Sequence, residues 1–256
     1  MEETLAELLR SPVGRNASYW VQWADEWRRS RDFWDLYKMC VLAALRLSEG
    51  DDTPEEVLDG ERCTLNAARL IAEVLESHPL ARRLAVTSSP QIHFGDLHVR
   101  QTAQAGTGAP SQPTTDRVVV KPPGVFWTSS LVDRGRSSWQ AAIESSYVPV
   151  DPAELTEYRL FFEPRNVRIF TIDGPADVES LVNRYATRDP DRHLMDWAAL
   201  ARDYDAVHLT FRGLLTAQGV PIEKGPARFV LDGWDAESVA WFNCRHFGEV
   251  VTRTHP

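Results

Sequence analysis

The chain has 256 residues, 43% hydrophobic and 25% charged, with a formal net charge of −9. Those fractions match the globular norm and exclude a disordered or collagen-like chain. The length suits one large domain or two small ones.

No run approaches about 18 consecutive apolar residues, so no membrane-spanning helix is expected. The opening MEETLAELLR is acidic and lacks the pattern of a secretory signal. Cys40, Cys63 and Cys244 are widely spaced and form no CxxC pair, which predicts a reduced, cytoplasmic protein without structural zinc.

Of the 28 basic residues all but Lys38, Lys121 and Lys224 are arginine. Genomic bias accounts for most of this, and the functional reading is guanidinium recognition of phosphate or carboxylate. Residues 1–86 carry 11 basic and 16 acidic side chains and residues 87–256 carry 17 and 21, giving −5 and −4. Neither part has the basic excess of a sequence-independent nucleic-acid binder.

Residues 1–86 read as a helical domain. Tyr19, Trp20, Trp23, Trp27, Trp34 and Tyr37 fall on one helical stripe, which runs into the apolar segment Met39–Leu45. Packing is the plainer explanation of the stripe. Ser-Glu-Gly at 48–50 ends that helix, and Thr53-Pro54-Glu55-Glu56 offers an N-cap with a capping-box Glu. Leu65, Ala68, Leu70, Ile71, Val74 and Leu75 mark a further helix ending near Ser77-His78-Pro79.

Residues 87–256 switch to strand-like pieces. Strands are expected over Ile92–Thr102, Arg117–Lys121, Tyr158–Phe162, Val167–Ile172, Ala206–Phe211 and Arg228–Leu231. Helices fit Ser138–Glu144, Pro175–Tyr185 and Leu194–Asp203, and Ala103–Thr115 reads as a flexible loop. The fold class is α+β: a helical N-terminal part followed by a mostly antiparallel sheet with short helices.

Several catalytic signatures are missing, including GxSxG, HExxH, GxxxxGK[ST] and a GxGxxG after a strand. His93 and His98 lie five apart on one expected strand and face opposite sides, so no metal site is expected there. Three segments put polar groups at strand ends in apolar settings. They are Leu97-His98-Val99-Arg100-Gln101-Thr102; Lys121-Pro122-Pro123-Gly124-Val125-Phe126-Trp127-Thr128-Ser129-Ser130, with Ser137-Ser138-Trp139 close behind; and Gly233-Trp234-Asp235-Ala236-Glu237-Ser238.

This order resembles the ADP-ribosyltransferase superfamily, which includes poly(ADP-ribose) polymerases and mono-ADP-ribosylating toxins, over roughly residues 90–245. The resemblance implies an ADP-ribosyltransferase-like domain over 87–256 that takes NAD as a substrate. It implies His98 or Arg100 as the NAD anchor, with both on one strand face. Gly124, Trp127, Thr128 and Ser129 would form the nicotinamide wall. Glu237 would occupy the catalytic position, with Asp235 two before it, where the family often has Glu or Gln.

In that chemistry nicotinamide leaves C1′ of the ribose through an oxocarbenium-like transition state. An aromatic ring holds the nicotinamide and a carboxylate faces the developing positive charge. The acceptor stays open among protein, nucleic acid and small molecules. Two other readings stand beside it. One is a non-enzymatic protein-binding module, whose Trp-rich helical domain would meet a protein partner. The other is a phosphotransferase-like relative of the same fold.

Overall fold

The computed structural model describes residues 1–23, 32–49, 61–95, 117–133, 135–145, 156–187 and 195–253. The fold is α+β. Helices α1 (Glu2–Arg10), α2 (Pro12–Trp23), α3 (Phe33–Glu49), α4 (Glu61–Ser77) and α5 (Pro79–Arg83) come first. The stripe expected as one helix is divided. Asp32 is non-helical, and its carboxylate accepts a hydrogen bond from Trp34 N at 3.1 Å, which caps the start of α3. Trp27 and the Thr53 cap lie outside the described residues. Helix α4 ends where expected, and His78 then caps α5, accepting from Leu80 N through Nδ1 at 3.3 Å.

Among the described residues the main sheet runs in the order β11-β5-β1-β3-β10-β7-β6. Its strands are β1 (Gln91–Phe94), β3 (Phe126–Asp133), β5 (Glu157–Leu160), β6 (Ile169–Ile172), β7 (Ala206–Leu209), β10 (Ser238–Trp241) and β11 (Val250–Arg253). A two-residue β4 (Arg136–Ser137) pairs with β3. All neighbours in this sheet are antiparallel except β6 and β7. A smaller sheet orders β2 (Arg117–Val119), β9 (Ala227–Val230) and β8 (Pro221–Lys224).

The expected strand over 92–102 is described only to Phe94 and the turn at Gly95, and the loop 103–115 lies outside the described residues. Helices α6 (Ser138–Ser145), α7 (Pro175–Tyr185), α8 (Trp197–Asp203) and α9 (Phe211–Thr216) complete the architecture. Helix α7 has the expected bounds, and α8 starts three residues later than expected because the Asp196 carboxylate caps it through Ala199 N.

The change from helix to strand falls near residue 86, yet one core crosses it. Buried Leu8, Tyr37, Cys40 and Ile71 belong to the same apolar cluster as Leu209, Phe211 and Trp234. Tyr37 lies 4.7 Å from Phe211, ring centre to ring centre. Ser11 caps α2 by accepting from Gly14 N and donates to Gln218 O at 3.2 Å. Gly14 lets the backbones close up: a Cβ there would stand 2.4 Å from Leu8 O and 2.8 Å from Leu215 O. Arg212 bonds both Glu7 on α1 and Asp173 beyond β6. Helices and sheet therefore stabilise one another. Among the described residues no helix is long and apolar enough to cross a membrane.

Candidate functional site

Strands β3 and β10 are adjacent and antiparallel, with Trp127 opposite Ala240 and Thr128 opposite Val239. Continuing that register brings Ser130 opposite Glu237, and there a side chain takes over from the ladder. Glu237 Oε2 accepts from Ser130 N at 3.0 Å and from Ser138 Oγ at 2.6 Å. Its Oε1 accepts from Ser130 Oγ at 2.7 Å and lies 2.7 Å from His208 Nε2.

Local rules put these partners in place. Ser137 caps α6 by accepting from Gln140 N at 3.2 Å, and Ser129 Oγ accepts from Trp139 N at 3.3 Å. The first turn of α6 is thereby pinned to β3, with Ser138 turned inward. His208 stands on β7, whose four residues are all buried. Tyr37 approaches from α3, and burial followed by the nearby Glu237 carboxylate pushes its phenol well above the ordinary range.

Glu237 is 0% exposed. Burial works to raise its pKa, but the bonds from His208, Ser138 and Ser130 outweigh it and hold the carboxyl below the usual value. The network continues through the sheet. Gln91 Nε2 donates to Ser130 Oγ, Thr128 Oγ1 donates to Gln91 Oε1, and Trp241 Nε1 donates to Thr128 Oγ1. A carboxylate with four close partners and no open side holds elements together.

Beside this buried network is an open pocket of about 190 Å³. Lys121, Trp127, Trp139, Gly233, Trp234, Asp235 and Ser238 line it. Trp127 meets Trp234 edge to face at 4.8 Å, and Trp234 Nε1 donates to Val120 O at 3.1 Å. Trp234 is buried and structural, Trp127 and Trp139 are partly open, and Asp235 is exposed. Lys121 Nζ donates to Gly233 O and lies 5.5 Å from the centre of the Trp127 ring.

The residues singled out by sequence are thus divided. Trp127 and Asp235 share the pocket, with Glu237 buried one residue before Ser238 in the pocket lining. Thr128 and Ser129 are buried in internal hydrogen bonds, and Gly124 occupies an exposed turn at φ 64°, so none of the three lines the pocket. His98 and Arg100 lie outside the described residues.

His208 and Gln91 were not foreseen. Their signal is a polar residue in a buried strand, which must find a partner, although sequence does not say which one. Among the described residues no group of three or more His, Cys, Asp or Glu side chains is arranged to hold a metal ion. Comparison with known protein families, curated proteins and solved structures finds no match to this chain.

Proposed function

We propose that the Trp127 pocket receives the nicotinamide riboside end of NAD and that the protein transfers ADP-ribose to an acceptor. One observation carries this reading. Trp127, matched by resemblance to the nicotinamide wall, shares a small pocket with the exposed carboxylate of Asp235. A cationic pyridinium suits that combination, since indole faces attract cations and a carboxylate complements them.

In the reaction the C1′–N bond of the riboside breaks and its electron pair returns to the ring, releasing neutral nicotinamide. The acceptor's lone pair then forms the new bond to C1′, and its proton passes to solvent. Asp235 is the carboxylate able to face the ribosyl cation. Glu237 acts as a positioning residue, fixing the middle of β3 and the start of β10 that follows Asp235. The NAD anchor implied at His98 or Arg100 belongs to the same proposal.

The test is nicotinamide release from NAD by wild type, Asp235→Asn and Trp127→Ala. Loss of the carboxylate should lower turnover on the order of 10²–10³, with the thermal midpoint unchanged. Absence of NAD binding at millimolar concentration by calorimetry overturns the proposal. Binding without cleavage would leave a nucleotide-binding module in its place.

A further inference from the structure

We propose that Lys121 is an internal competitor of the pocket's ligand, its ammonium occupying the place that an incoming cationic ring must take. The proposal rests on the pyridinium reading above. Lys121 Nζ lies 5.5 Å from the Trp127 ring centre, within the range of a cation–π contact. The same ammonium donates to Gly233 O, on the pocket's rim. The pocket's aromatic face and one of its acceptors are therefore both engaged by a group of this chain.

Gly233 stands beside the Lys121 ammonium. Its φ of +73° favours glycine, and a Cβ there would stand 3.3 Å from Lys121 Nζ. Lys121 is exposed and has a flexible four-carbon stem, so it can swing into solvent without disturbing the core. Two cations cannot share one ring face at contact distance. A ligand's apparent affinity is then reduced by the fraction of molecules in which Lys121 is in place. This makes ligand entry a displacement of the Lys121 ammonium from the Trp127 ring.

The test measures binding of N-methylnicotinamide, a stable pyridinium cation, by calorimetry with wild type, Lys121→Met and Lys121→Arg. Lys121→Met should tighten binding roughly two- to fivefold, the scale of one exposed cation–π contact. Lys121→Arg should stay near wild type. The gain should persist in 1 M salt, where the Debye length is about 3 Å and distant repulsion is screened.

Unchanged or weaker binding by Lys121→Met overturns the proposal, as does a gain that disappears in 1 M salt. If NAD is cleaved while Lys121→Met fails to tighten the probe, competition falls and the proposed activity stands. Tighter probe binding without NAD cleavage separates them the other way. Binding of the probe by neither protein removes both.

Discussion

His208 Nε2 and Glu237 Oε1 lie 2.7 Å apart with neither side chain exposed to solvent. They join β7 to the start of β10, and the other carboxylate oxygen joins β3 to α6 through Ser130 N and Ser138 Oγ. Removing one member of such a group leaves buried polar atoms without partners.

Glu237→Gln should therefore cost about 3–5 kcal/mol of stability. At roughly 2–4 °C per kcal/mol, the thermal midpoint should fall by roughly 6–20 °C. Calorimetry or urea unfolding reads this directly, and a change under about 1 kcal/mol would show that the network is not holding the fold. Any activity lost in this variant must be compared with its folded fraction.

Asp235→Asn offers the cleaner separation of chemistry from folding. The side chain is exposed, so stability should change by less than about 0.5 kcal/mol. Trp234→Ala should do the opposite and cost about 3–5 kcal/mol, because that ring is 1% exposed. Equal thermal midpoints for these two variants would contradict the division between pocket lining and core.

Acid should weaken the fold through Glu237 and Asp205. Burial opposes ionisation at Asp205, but bonds from Arg168, Asn243 and His246 outweigh it and lower its pKa. Both groups have folded values below their ordinary 4.5 and 3.8. Their stabilising contribution is complete above about pH 4.5 and is lost as pH falls through the folded values. Urea unfolding from pH 7 to pH 3 should show a steepening loss below pH 4.5, shallower in Asp205→Asn. Constant stability across that range would refute the linkage.

Arg212 ties α1 to the segment after β6 by pairing with both Glu7 and Asp173. Arg212→Ala should cost about 1.5–3 kcal/mol, the scale of charged hydrogen bonds. Amide exchange should quicken first in Glu2–Arg10. Uniform exchange throughout the chain would place the docking energy elsewhere.

Periodicity makes several helices and six strands legible in the sequence, whereas β3 and β10, which build the site, are not among the expected strands. The strand expected over 206–211 ends at Leu209, before helix α9. Helix α7 was readable to the residue, because Gly174-Pro175 starts it and apolar residues repeat at helical spacing. The division between α2 and α3 was missed, since Asp32 looks like one more polar position on a helical face until its carboxylate is seen to cap Trp34 N. At the site, Trp127 and Asp235 were named and are brought to one pocket, while Thr128 and Ser129 turn into the protein. Strand alternation gives two faces but does not say which one is open.

Composition and local pattern determined the α+β class and set aside a membrane-spanning helix and a broad basic surface, because these depend on sums and short-range periodicity. Tertiary structure decided that the regions on either side of residue 86 share one core and that Glu237 is buried under four hydrogen bonds. It also decided that Lys121 rests over Trp127. Those outcomes depend on which strands become neighbours: Glu237 lies 107 residues from Ser130 and 29 from His208, and no local propensity spans such distances.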